Sequence, residues 1–317
     1  MSRWLIRAAV SGIVVAILLS IIPFHAVVDA LSRISVWTWA VSVVIFFAGH
    51  YLNAIKLRLL LSGTTGTTGT SSANDAHLTS ACVRAQYAGL VANLGLPGLA
   101  GGDLVRGAYL VPIAGLKRVA MASIADRVLD TGTMLVLIAV ALPMAGLPPV
   151  IASVVGRAGL WIGGGIAAMA IAGVLLMRVR RFARLGQQIG EAWTSLTSRK
   201  STLLGAVTIS FVVQSSFVMT NVWLARQVGV TTGLAAWFVA WPLSKLIAIL
   251  PISLGGIGVR EAALVSLLAP YGAPREAVLA SGILWQAVLI VTGLAGLVVT
   301  QMLPRAAVAP IEPARPG

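Results

Sequence analysis

Charge is scarce in this chain. Only 10% of its 317 residues are Asp, Glu, Lys or Arg, against about a quarter in soluble globular domains. No polar stretch is long enough to fold alone, which excludes an aqueous domain. With 58% hydrophobic residues and a mean hydropathy of +0.95, the expectation is a helical membrane protein. Cysteine is scarcer still: Cys82 stands alone, so no internal disulfide can form, and its apolar surroundings read as those of a buried structural thiol. Three scattered His and one Cys offer no metal-ligand spacing. A P-loop, a Rossmann glycine pattern and a Gly-x-Ser-x-Gly elbow are all missing from the sequence. No cofactor is therefore expected. Carboxylates are the rarest charge, 9 against 23 basic residues, for a net charge of +14. In a soluble chain that balance would suggest nucleic acid. Here Lys and Arg cluster between apolar segments, as the positive-inside rule and anionic lipid surfaces require. The expected partners are membrane lipids with anionic headgroups, and not nucleic acid.

Apolar runs of about 20 residues, the length of a membrane span, occur at 8–28, 36–57, 119–142, 157–177, 203–225 and 278–303. Arg3 and Arg7 precede the first run, and Val28-Asp29-Ala30 is a passable cleavage site. With so many spans following, an uncleaved first helix is expected. Trp37, Trp39, Trp161, Trp223 and Trp237 lie near segment ends and read mostly as belt or packing residues. The Gly-, Thr- and Ser-rich stretch 63–74 reads as a flexible cytoplasmic loop.

Two further apolar regions, 79–116 and 233–270, are interrupted in the middle. The interruptions are Leu96-Pro97-Gly98-Leu99-Ala100-Gly101-Gly102 and Leu250-Pro251-Ile252-Ser253-Leu254-Gly255-Gly256. Pro removes a helix donor and Gly admits backbone conformations that other residues avoid, so a continuous helix through either is not expected. Basic residues cluster at Arg3/Arg7, Lys56/Arg58, Lys117/Arg118, Arg178–Arg184 with Arg199/Lys200, and Arg305. If all five clusters are cytoplasmic, both interrupted regions must be re-entrant hairpins, the first entering from the cytoplasm and the second from outside. Both termini are then cytoplasmic.

The two hairpins also resemble each other. Residues 96–110 and 250–264, aligned without gaps at an offset of 154, share Leu, Pro, Gly, Gly, Val, Arg, Ala and Leu. The expected architecture is an all-α polytopic membrane protein with about six full spans and two broken-helix hairpins. It forms a single transmembrane domain over 1–317, with one repeat over about 8–142 and a second over about 157–303. This is the inverted repeat of many transporters, in which broken helices meet near the bilayer midplane.

Ionisable groups inside apolar segments cost roughly 2.5–3.5 kcal/mol each on insertion scales, which makes each a functional candidate. The first hairpin supplies Asn93, Asp103 and Arg106 beside Gly101 and Gly102. The second supplies Lys245, Arg260 and Glu261 beside Gly255 and Gly256. The span at 119–142 adds Asp126, Arg127 and Asp130. Arg106 and Arg260 each follow their Gly-Gly pair by four residues, which predicts a position near the first turn of a half-helix. Free N–H groups, a partial positive charge and a bidentate guanidinium together suit a phosphate. The competing reading is that both Arg only pair with Asp103, Asp126 or Glu261 to lock the hairpins. Asp126 and Asp130, at i and i+4, share a helix face and are expected to pair with Arg127 or a hairpin Arg. Lys245 could bind substrate or snorkel to an interface. His50, Asn53, Gln214, Asn221 and Gln286 read as interhelical hydrogen-bonding residues.

These motifs, Asn93-Leu94-Gly95-Leu96-Pro97 through Asp103 and Arg106, Asp126-Arg127, and Leu250-Pro251-Ile252-Ser253 through Gly255-Gly256-Ile257-Gly258-Val259-Arg260-Glu261, resemble the lysylphosphatidylglycerol synthase transmembrane region family. The similarity runs over about 8–303 and implies a flippase-like domain. In full-length synthases such a domain moves aminoacylated phosphatidylglycerol between leaflets. The soluble aminoacyl-transfer domain of those enzymes has no counterpart here, so lysyl transfer is not expected. Asp130 departs from the pattern, where many relatives would carry a small residue. The resulting expectation is a bacterial inner-membrane translocase for an anionic phospholipid or lipid-linked precursor, rather than an enzyme. An intramembrane lipid-phosphate transferase, or a non-catalytic subunit of an envelope-lipid pathway, are the alternatives. Homo-oligomerisation and association with lipid-biosynthesis enzymes stay open.

Overall fold

A computed structural model describes residues 34–63, 72–95, 100–146, 198–248 and 258–303, together with Ser32 and Thr194. Every regular element among them is helical. In chain order these are α1 (Val36–Gly63), α2 (Ser72–Gly95), α3 (Ala100–Ala114), α4 (Leu116–Ala145), α5 (Lys200–Gln227), α6 (Leu234–Ala248), α7 (Val259–Leu268) and α8 (Arg275–Met302), with a single 3₁₀ turn at Ala269–Tyr271. Four of them, α1, α4, α5 and α8, are long and apolar enough to cross a membrane, at 28 or 30 residues each. At 1.5 Å per residue 28 residues reach about 42 Å, more than the ~30 Å hydrocarbon core. These four correspond to the runs expected at 36–57, 119–142, 203–225 and 278–303, each longer at one or both ends. The runs at 8–28 and 157–177 and the Arg178–Arg184 cluster lie outside the described residues.

Apolar side chains cover the outside as well as the inside. Val128, Leu135, Val136 and Val140 of α4 are exposed, as are Leu294, Leu297 and Val298 of α8. In water such a surface would be a large liability; against lipid tails it costs nothing. The interior holds Tyr87, Leu57, Leu60, Leu110, Leu224, Trp237 and Leu264, all essentially inaccessible. Trp237 is therefore a core residue and not an interfacial anchor, whereas Trp37 is exposed. Trp161 lies outside the described residues. Cys82 is free and buried, as its apolar context implied.

The order long helix, helix pair, long helix occurs twice, in α1–α4 and again in α5–α8. The packing repeats with it. Helix α2 packs on α8, and its counterpart α6 packs on α4. The pairs α2·α3 and α6·α7, α1·α2 and α5·α6, α3·α4 and α7·α8, α1·α4 and α5·α8, and α1·α8 and α5·α4 likewise come as mates. The remaining pair, α1·α5, is its own mate. These two helices run antiparallel: Lys56 meets Ser210, whereas Phe46, ten residues earlier, meets Phe217.

Each interrupted region is a pair of packed helices. In α2/α3, Asn93 contacts Gly102, Gly89 faces Arg106, and Arg84 lies over the Tyr109 ring, so the two helices are antiparallel. The sequence places Gly101 and Gly102 in the interruption, but α3 begins at Ala100 and contains both. Gly102 serves close approach. A Cβ on Gly102 would sit 2.6 Å from the Gly89 carbonyl oxygen, and one on Gly89 would sit 2.7 Å from Arg106 Cγ. The small residues let the backbones touch, as in other membrane helix pairs. The loop expected at 63–74 is also shorter, since α1 runs through Gly63 and α2 starts at Ser72.

Gly89→Ala and Gly102→Ala should each destabilise the protein by about 1–3 kcal/mol through overpacking. Gly107→Ala, where a Cβ meets nothing within 4 Å, should not destabilise it. Thermal unfolding of the three variants in detergent would check this, and equal melting temperatures would refute the close-packing role.

Candidate functional site

Helical spacing turns one stripe of every described helix toward a common interior space. Helix α1 contributes Phe46, His50 and Asn53, α2 contributes Gln86, Gly89, Leu90 and Asn93, and α3 contributes Asp103 and Arg106. Helix α4 brings Asp126, Arg127 and Asp130, and α5 brings Gln214 and Phe217. Trp241, Lys245 and Ala248 come from α6, Arg260 from α7, and Trp285, Gln286 and Leu289 from α8. Together they enclose a cavity of about 180 Å³. A cavity of roughly 150 Å³ holds a six-membered ring, so this one has room for a headgroup but not for acyl chains.

Twelve of the side chains singled out from the sequence meet here: the ionisable and amide candidates Asn93, Asp103, Arg106, Asp126, Arg127, Asp130, Lys245 and Arg260, together with His50, Asn53, Gln214 and Gln286. Gly101 and Gly102 lie beneath the site in the first turn of α3, where the Gly102 N–H donates to Asn93 Oδ1 at 2.8 Å. Glu261 does not line the cavity but holds Arg260 from behind. Gly255 and Gly256 lie outside the described residues. The expected position of the two arginines holds for one of them. Arg260 is the second residue of α7, while Arg106 lies in the second turn of α3, because α3 starts before its Gly-Gly pair.

Ion pairs knit the first half together. Arg106 Nη2 donates to Asp126 Oδ2 at 3.1 Å and Nη1 to Asp103 Oδ1 at 3.2 Å. Arg127 grips Asp103 through Nε at 2.9 Å and through a second bond from Nη2. Lys56 lies beneath these groups, fully buried, with Nζ 2.9 Å from Asp126 Oδ1 and 2.6 Å from Asp130 Oδ1. It also donates to Ser210 Oγ at 3.1 Å, and that hydroxyl donates to Asp130 Oδ1 at 3.0 Å. From sequence Lys56 reads as part of a cytoplasmic basic cluster with Arg58. It is instead an interior counter-ion, a role visible only once α1 is known to continue to Gly63.

The second half is arranged differently. Arg260 donates to Glu261 Oε1 from Nε at 3.0 Å and also from Nη2, and to Gln286 Oε1 at 3.2 Å, with its guanidinium 5.7 Å from the Trp241 ring centre. Glu261 is committed twice, since its Oε2 accepts the Gly258 N–H at 2.8 Å as one half of a capping box. Gly258 has φ +82, a backbone state that favours glycine. Lys245 donates to Gln214 Oε1 at 3.1 Å and lies 6.0 Å from the Phe217 ring centre. It makes no ion pair among the described residues and points into the cavity rather than out to an interface. Gln214 and Gln286 thus form the interhelical bonds expected of them. Asn221 instead bonds Phe217 O within its own helix. The lining carries four cations, Arg106, Arg127, Lys245 and Arg260, against three carboxylates, Asp103, Asp126 and Asp130. One positive charge is left over.

The aromatic wall went unread in the sequence. Phe46 packs 4.6 Å from Phe217 and 4.9 Å from Trp285, and Trp241 meets Trp285 edge-on at 5.0 Å. Single aromatics in spans carry no sign of which way they face, so nothing marked them.

The family described as Lysylphosphatidylglycerol synthase TM region matches residues 4–296. The chain belongs to that family. No curated protein matches the chain. Four helices fit to cross a membrane and the family itself make it a multi-pass integral membrane protein.

Removing the Lys56 ammonium while keeping its bulk, as in Lys56→Met, should cost about 3–5 kcal/mol, because it takes the shared cation from buried Asp126 and part-buried Asp130. Adding Asp130→Asn should recover part of that loss. Thermal melts of the single and double variants test the pairing; a Lys56→Met protein as stable as the parent would rule it out.

Proposed function

We propose that this protein moves an anionic phospholipid or a lipid-linked precursor across the bacterial inner membrane, holding its phosphate between Arg106, Arg260 and Lys245. The observation that carries this reading is Lys245. A partly buried ammonium inside an apolar segment, whose contacts among the described residues are an amide and an aromatic ring, is costly unless a ligand anion completes it. The two arginines of the related hairpins line the same cavity, so a phosphate there has donors from both halves. They also serve as locks through Asp103, Asp126 and Glu261, and the two roles are compatible. If an entering phosphate displaces a carboxylate from its arginine, Asp103 is better placed to yield than Glu261. It is one-third exposed, whereas Glu261 also caps α7.

The paired packing of the halves supports an inverted repeat. A two-fold axis that exchanges antiparallel helices is perpendicular to them. If α1 and α5 cross the bilayer, the axis relating the halves lies in its plane, which is the arrangement of alternating-access transporters. Helices α2/α3 and α6/α7 are then re-entrant hairpins entering from opposite faces, the first from the cytoplasm. The termini lie on the cytoplasmic side. A sealed interior would have favoured an accessory role, and the cavity weighs against that.

Two experiments test the reading. Lys245→Met should slow transport of fluorescent anionic lipid in proteoliposomes by on the order of tenfold, while the melting temperature stays level or rises as an unpaired charge is removed. Unchanged transport would overturn the phosphate site. Single cysteines at Thr79 and Lys117, with buried Cys82 giving little background, should both label from the cytoplasm. Labelling from opposite sides would sink the re-entrant topology.

A further inference from the structure

A phosphate alone leaves part of this cavity unused. Phosphate oxygens only accept hydrogen bonds, so they can meet N–H donors such as Arg106 Nε and Trp241 Nε1 but not acceptors. Among the residues that line the cavity, His50 Nε2, Gln86 Oε1 and Asn53 Oδ1 are buried and also lack a hydrogen-bond partner among the described residues. The His50–Gln86 pair is the informative one. Gln86 is more than nine-tenths buried, and its Nε2 lies 3.0 Å from His50 Nδ1. If the amide donates there, His50 Nε2 carries the proton, and the pair offers that N–H, the second amide N–H and a free carbonyl oxygen. If the amide is turned over, its oxygen accepts from Nδ1–H, and the pair offers both amide N–H groups and a bare Nε2. In both arrangements at least one donor and one acceptor are left over. A hydroxyl group is both donor and acceptor and satisfies the two at once.

An ammonium group could supply donors, but it has no acceptor to offer, and it would enter a lining that already has one positive charge in excess. A neutral hydroxyl meets neither objection. The wall beside these amides is aromatic, formed by Phe46, Phe217, Trp241 and Trp285. Flat rings suit a ligand with one C–H face and hydroxyls around its edge, and the cavity has room for one six-membered ring.

Resting on the phosphate reading above, we infer that the transported headgroup is a hydroxyl-bearing ring, a sugar or cyclitol, joined to its lipid through phosphate. The phosphate lies against Lys245 and Arg260, and the ring hydroxyls against His50, Gln86 and Asn53.

The test is binding of short-chain lipids to the full chain in detergent, followed by calorimetry. The probes are dioctanoyl phosphatidylinositol, a short polyprenyl-phosphate hexose, dioctanoyl phosphatidic acid and dioctanoyl phosphatidylethanolamine. At least one of the two ring lipids should bind on the order of tenfold more tightly than phosphatidic acid, and which one does identifies the lipid carrier. Gln86→Leu should bring ring lipid and phosphatidic acid together in affinity, with Gln86→Glu and the melting temperature reporting on folding. Equal affinities in the parent protein, a preference untouched by Gln86→Leu, or tightest binding of phosphatidylethanolamine would each overturn the ring inference. Lys245→Met separates the two levels. If phosphatidic acid binds and Lys245→Met weakens it, the phosphate site stands even where the ring preference fails. If Lys245→Met changes no affinity, the phosphate site fails and the ring inference with it.

Discussion

The fold turns on a set of charges that membrane interiors ordinarily exclude. Asp126 of α4 reaches Arg106 of α3 with one oxygen and Lys56 of α1 with the other. Through Lys56 the network continues to Asp130 and to Ser210 of α5. One carboxylate therefore ties a hairpin to two long helices, and its ammonium partner ties in a third. In lipid the hydrophobic effect does not press helices together, so packing and polar contacts must. Any relative movement of α1, α3 and α4 that broke these pairs would strand a charge in a low-dielectric space, at a cost of several kcal/mol. The network accordingly defines which parts of the first half move as a unit.

How much of this was legible depended on where a residue sat in its own helix. Asp126, Arg106 and Arg260 stand well inside apolar runs, and a charge in such a place announces itself. Lys56 stands one residue before the end of the apolar run at 36–57, two residues from Arg58, and has every mark of a loop charge. The family pattern was no help with Asp130, which departs from it; yet Asp130 is the residue that makes sense of Lys56. The Gly-Gly pair was legible as an anomaly but misread in kind. Sequence shows that Gly101 and Gly102 relax the backbone's constraints, and it does not show that the chain uses the freed space for helix contact at Gly89. His50 and Gln86 illustrate a further limit. A lone amide or imidazole in a span has many bonding partners to choose from, and only the fold shows that these two choose each other and leave at least one donor and one acceptor over.

The halves repeat in packing but not in charge. Arg106 is neutralised by Asp103 of its own helix and by Asp126 of α4, and Arg127 adds a further bond to Asp103. Arg260 is held by its own neighbour Glu261 and by an amide of α8, Gln286. Lys245, also from the second half, has an amide and, among the described residues, no carboxylate in ion-pair range. The surplus positive charge thus belongs to the second half, while the first half is electrically closed. An anion entering between two symmetric halves would have no reason to prefer either. Under the proposed phosphate reading it is drawn toward α6 and α7, and the first half can present its neutral groups, His50, Asn53 and Gln86, to whatever the anion carries. If the halves form the proposed inverted repeat, a single charge unmatched on one side of its axis is enough to give the site a direction.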